Sequence, residues 1–134
     1  MLPIARLVSA VLLTISTMGT AAARPAELGA NCSLGIRYPV TAVKPYRSED
    51  AAGYAAMGRT FRGADIYIVA QPGMTREWLQ RRMESEIGTD TCDFGVSRPT
   101  VDVISAGGGF LVRVSGPNEA AANEILTRAE LLIR

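Results

Sequence analysis

Histidine is absent from this chain, so the side chains left to carry chemistry are carboxylates, two cysteines, methionines and arginines. The usual general base, the Ser-His-Asp type of triad and the commonest zinc ligand are all missing with it. Three carboxylate pairs stand close in sequence: Glu49 with Asp50, Glu84 with Glu86, and Asp90 with Asp93. Glycosidase-type acid–base work needs two carboxyl groups opposed across a substrate, which adjacency along the chain does not supply. All three pairs are therefore read as surface, the second on the solvated face of a helix. The Asp90/Asp93 spacing also departs from the D-x-[DN]-x-[DN]-G calcium loop.

Gly107-Gly108-Gly109 joins one strand pattern to another and no Lys-Ser/Thr pair follows it, so it reads as a hairpin turn and not as a phosphate loop. Met57, Met74 and Met83 with Cys92 are the only grouping that suits a soft metal such as copper(I). Met74 and Met83 have a competing place in the pattern of a helix, as staple and core, and no cofactor or metal is expected. Lys44 is the single lysine and the one amine available for Ser/Lys chemistry.

Arg6 precedes the apolar run Leu7 to Met18, and the small residues that follow end in an Ala-x-Ala pattern at Ala23. This is the signature of a cleavable secretory signal over residues 1–23, leaving one small domain over 24–134 and no later membrane span. In a periplasmic or secreted protein, two lone cysteines imply one disulfide, Cys32 with Cys92. Such a bridge is a staple and not a redox centre, because there is no Cys-x-x-Cys. The stretch Leu28 to Cys32 resembles a lipid-attachment box only superficially, since Asn31 stands where a small residue belongs.

Basic and acidic residues number 14 and 13, and loss of Arg6 with the leader makes the mature chain formally neutral. Nucleic-acid and anionic-membrane binding both depend on a positive excess, so neither is expected. Arginine supplies all the basic residues but Lys44. Arg76, Arg81 and Arg82 share one helix, with Arg59 and Arg62 as candidates to join them. These five form the candidate partner surface, suited to the acidic surface of another exported protein.

The elements that must position these groups are organised around Gly63 to Gly88. Asp65 to Ala70 alternate as a strand apolar on both faces, and Gln71-Pro72-Gly73 stops it. Thr75 then caps a helix, Met74 staples onto Leu79, and Trp78, Leu79, Met83 and Ile87 form its buried stripe. Glu77 and Arg81 are spaced as an ion pair, and Gly88 ends the helix. Upstream, residues 24–35 read as a leader, Ile36 to Lys44 as an edge strand ended by Pro45, and Tyr46 to Gly58 as a loop. Thr60 to Arg62 reads as a short strand before Gly63. Downstream, Thr100 to Ser105 and Phe110 to Ser115 form a hairpin about the glycines. Pro117 opens a last helix at its first position, with Ala121, Ala122, Ile125, Leu126, Ala129, Leu132 and Ile133 facing inward and Glu124 paired with Arg128.

The order ββαββα predicts a small two-layer α+β sandwich. It consists of a four-stranded antiparallel or mixed sheet with two helices on one face, ferredoxin-like in flavour. Functionally, the expectation is an exported, non-enzymatic binding or assembly domain using the uncovered sheet face or the arginine side of the first helix. The alternatives are a histidine-free hydrolase or transferase working through carboxylates or Ser/Lys, and a carrier of a soft metal or small ligand.

Overall fold

The computed structural model describes residues 28, 29, 31–49 and 59–133. Residues 1–23, expected to be a secretory leader, and Asp50 and Met57 lie outside the described residues. The elements run β1 (Val40–Glu49), β2 (Arg59–Val69), α1 (Arg76–Glu86), β3 (Thr100–Ala106), β4 (Gly109–Ser115) and α2 (Glu119–Glu130), with a 3-10 turn over Leu131–Ile133. The four strands form one antiparallel sheet in the order β1-β2-β4-β3. Two consecutive antiparallel pairings, β2 with β4 and β4 with β3, leave β2 and β3 parallel with β4 between them. That is the split β-α-β unit of ferredoxin-like sandwiches, with the fourth strand supplied from the N-terminal side.

The centre of the inner sheet face is apolar: Val43, Ile66, Val112 and Val103 are in register across the strands, as are Pro45, Ala64, Val114 and Val101. Leu79 and Met83 from α1 and Ile125 and Ala129 from α2 close the same core cluster over that face. α1 lies along β3, and α2 lies along β2 and β1. The helix starts follow from their caps. Thr75 Oγ1 accepts from the Trp78 amide at 3.2 Å, and Asn118 Oδ1 accepts from the Ala121 amide at 2.8 Å. Asn118 is thus the cap of α2, and Pro117 precedes it where the sequence reading had it as the first helical residue.

Three further boundaries differ from the sequence reading. β1 begins at Val40 and runs through Pro45 to Glu49, so Pro45 does not end it and Tyr46 to Glu49 are strand and not loop. A proline is tolerated there because β1 is an edge strand, whose free side asks for no donor. Ile36 and Tyr38 precede the strand in a turn, Ile36 exposed and Tyr38 buried. β2 begins at Arg59 and passes through Gly63, which lies inside a long strand opposite a shift of register between Tyr46 and Arg47. In α1, Glu77 pairs with Arg76 at 3.7 Å in place of Arg81.

The disulfide joins Cys32 to Cys92, and both residues are buried. The segment it ties down is part of the core, since Leu28, Leu34 and Tyr38 are buried with it. Ser33 adds a second tether by donating from Oγ to Glu86 Oε1 at 2.7 Å. Glu86 is therefore not on a solvated face: it is 8% exposed, whereas its sequence neighbour Glu84 is exposed.

The outer edge of β3 is closed by side chains of α1, chiefly Gln80. Gln80 Nε2 donates to the Val101 carbonyl at 2.7 Å, and Gln80 Oε1 accepts from the Val103 amide at 2.6 Å. A primary amide thus copies the donor and acceptor of a neighbouring strand and blunts an edge that would otherwise pair with another chain. Gln80→Leu removes both bonds and leaves the Val103 amide without its partner. The expected cost is about 2 kcal/mol, with faster aggregation on heating, measured by urea unfolding and light scattering. A variant that keeps its unfolding midpoint would show that the edge needs no cover.

Candidate functional site

Both helices pack on the inner side, and the opposite side of the sheet carries the charged and aromatic residues. Its rows follow from the register. Lys44, Asp65, Arg113 and Asp102 stand side by side across all four strands, and the next row is Ala42, Tyr67, Leu111 and Ile104. Beyond the first row, on its other side, come Tyr46, Gly63, Ser115 and Thr100, and then Arg47 opposite Phe61.

Arg113 is the fixed point of this face. Its Nε and Nη2 donate to Asp65 Oδ1 and Oδ2 at 2.8 and 3.2 Å, a bidentate pair between neighbouring strands. The guanidinium also lies 3.9 Å from the centre of the Tyr46 ring. The hydrogen bond to Asp65 pushes the pKa of Arg113 up, partial burial opposes this, and the charges of Asp65 and Asp102 add to the rise. A raised pKa on a base contributes stability that is present below the unfolded value and lost only as pH climbs through the folded one. For arginine that window is strongly alkaline, so this guanidinium stays charged at every working pH.

Two more cations sit over rings on the same face, Lys44 Nζ 5.3 Å from the Tyr67 centroid and Arg47 5.6 Å from that of Phe61. Neither Lys44 nor Asp102 has an ion pair among the described residues. Ile104 and Val69 are 37% and 49% exposed, while Leu111 is buried yet belongs to no core cluster, as its place between Tyr67 and Ile104 on the outer side requires.

Apart from this face, an open groove of ≈ 470 Å³ is lined by Arg37, Tyr38, Gln71, Pro72, Gly73, Met74 and Trp78. Trp78 was expected in the buried stripe of α1 but is 45% exposed, and its ring meets Tyr38 edge to face at 6.2 Å. The buried stripe takes Leu79, Met83 and Ile87, which join the core cluster, with Glu86, which is held by Ser33 of the disulfide-tethered segment.

The five candidate arginines do not form one surface. Arg76 donates to the Val103 carbonyl at 3.2 Å, and Arg82 lies 3.6 Å from Glu86, so both are used internally. Arg81 is exposed on α1. Arg62 donates to the Pro117 carbonyl at the start of α2, on the inner side of β2, whereas Arg59 is on the outer face beside Glu49 at 3.9 Å. Glu49 thus has a cationic partner, and Asp93 accepts from the Gly95 amide and faces Arg128. No group of three or more His, Cys, Asp or Glu suited to a metal occurs among the described residues.

Comparison with known protein families, curated proteins and solved structures finds no match.

The residues that sequence reasoning missed are Tyr46, Arg47, Phe61, Asp65 and Arg113 as members of one face. Period-two alternation already placed Asp65 and Tyr67 on the same side of β2. The registers that bring Arg113 and Tyr46 to them depend on strand order, which alternation does not encode.

Proposed function

We propose that this chain is an exported, non-enzymatic binding or assembly domain that engages another exported protein through the open face of its sheet. The observation that carries this reading is the set of three cations held over aromatic rings, beside exposed Ile104 and Val69, on a face that no described helix covers. Cations that rest on rings keep their charge available to acidic groups, and the apolar row supplies area. Export is supported by the leader-like N-terminal sequence and by the disulfide. No helix among the described residues is long and apolar enough to cross a membrane.

The hydrolase or transferase alternative draws less support. The Lys44 amine rides over Tyr67, and the serine and carboxylate that do meet, Ser33 and Glu86, are buried beneath the N-terminal segment. A carrier of a small ligand is the second reading, favoured by the groove with its exposed tryptophan. A soft-metal version fits less well, since Met83 is fully buried and Cys92 is in the disulfide.

The test is recovery of the exported protein from its native compartment at low salt, with Lys44→Glu/Arg47→Glu and Arg81→Glu as comparisons. The expected result is a stoichiometric partner that the sheet-face double variant and high salt both release, and that Arg81→Glu retains. Retention by the sheet-face variant, or loss with Arg81→Glu alone, would overturn the choice of face.

A further inference from the structure

The central row of the open face has an order of charge with a geometrical consequence. From β1 to β3 it runs Lys44, Asp65, Arg113, Asp102, which is plus, minus, plus, minus. The sequence of signs is antisymmetric about the line midway between β2 and β4. Consider a second copy laid face to face by a two-fold axis along that line, parallel to the strands. Lys44 then meets Asp102 of the second copy, and the internally paired, buried Asp65 lies opposite its Arg113. All contacts in the row join opposite charges, and each occurs twice. A two-fold axis perpendicular to the strands instead puts Lys44 against Lys44 and Asp102 against Asp102, so the row selects one of the two ways of stacking these sheets.

The flanking rows obey the same operation. In the apolar row, Ala42 falls opposite Ile104 and Tyr67 opposite Leu111, a small residue against a large one and a ring against an aliphatic chain. On the other side, Tyr46 falls opposite Thr100, and Gly63 opposite Ser115. Strands related by this axis run nearly parallel between the layers, which is the aligned packing that two twisted sheets adopt. Among the described residues Lys44 and Asp102 are the members of the row with no ion pair, and they are the two that the operation brings together.

We infer that the open sheet face is self-complementary and that the partner it takes is a second copy of this chain, in a face-to-face two-fold dimer. This rests on the reading of that face as a binding surface and names its occupant. Four strands at about 4.8 Å spacing, over the seven residues of β3 and β4, give a footprint of about 450 Å² per copy. Doubled over the two copies, about 900 Å² lies just under the size usual for a specific interface, which makes this a weak, concentration-dependent dimer.

Sedimentation equilibrium of the purified protein, from micromolar to millimolar concentration, tests this with three variants. Wild type is expected to associate to a dimer. Lys44→Glu and Asp102→Lys each oppose like charges at two symmetric contacts and raise the dissociation constant by at least about tenfold. Lys44→Glu/Asp102→Lys restores opposite charges between copies and recovers the dimer. Within one copy the two substitutions have independent effects, each setting a like charge beside Asp65 or Arg113, so recovery in the double variant reports contact between copies. Both positions are exposed, and unchanged circular dichroism checks that each variant folds. A wild type that stays monomeric, single variants that associate normally, or a double variant that does not recover would each overturn the inference. A monomer whose co-purifying partner is still lost with Lys44→Glu/Arg47→Glu would overturn the second copy as occupant and leave the binding face standing.

Discussion

Replacing Cys32 and Cys92 together by alanine lowers the stability of the domain by about 4 kcal/mol. The bridge spans a sequence separation of 60, and in the chain-entropy account a loop of that length removes about 4 kcal/mol of freedom from the unfolded chain. A domain of this size has a total stability of only about 5–15 kcal/mol, so the loss is a substantial fraction of the whole. Thermal unfolding should shift down by about 15 °C. The segment released carries Leu28, Leu34 and Tyr38 out of the core, and with Tyr38 goes the edge of the ring pair with Trp78. Emission of Trp78, the single tryptophan, should therefore change at a lower temperature than the circular dichroism of the sheet. A change in stability below about 1 kcal/mol would mean that packing of the segment, and not the covalent tie, holds it in place.

Gly63→Ala is expected to cost about 3 kcal/mol despite adding a single methyl group. A Cβ at Gly63 would occupy the position of the Val114 carbonyl oxygen, and one at Gly109 would meet that of Ile68. These two glycines stand at opposite ends of the β2–β4 ladder, where Gly63 pairs with Ser115 and Gly109 with Val69. The obstacle is backbone, so relief requires the two central strands to separate and Asp65 to withdraw from Arg113. Gly108→Ala is the matched control: its Cβ meets nothing within 4 Å, and the change should stay within about 0.5 kcal/mol. Urea unfolding of the two variants side by side decides the matter, and similar midpoints for both would sink the close-approach account.

Much of the fold was legible because its determinants are local. The hairpin over Thr100 to Ser115 follows from alternation on either side of a glycine turn, and Gly107 does take φ 58° there. The cap at Thr75, the positive φ of Gly88 and the Glu124–Arg128 pair at 2.7 Å all depend on residues within one or two turns. The misread positions share the opposite property. Pro45 is acceptable inside β1 only because that strand ends up at an edge. Trp78 stands half-exposed at the rim of the core beside Tyr38, a residue forty positions upstream that no local pattern brings to it. Glu86 is buried beside the disulfide-tethered segment, whose Ser33 hydroxyl supplies its hydrogen bond.

The sequence by itself determined the class of the protein: two ββα units, one disulfide, no histidine chemistry, and a chain with little net charge. Composition and short-range periodicity carry that information, because propensity, capping and turn formation act over a few residues. Only the tertiary structure decided which side chains share a surface. Lys44, Asp65, Arg113 and Asp102 come from four strands spread over some seventy residues of chain, and they form a row of alternating sign only in the strand order β1-β2-β4-β3. Strand order is fixed by the burial of the whole inner face against two helices, a global free-energy balance to which no single segment of the sequence is privy.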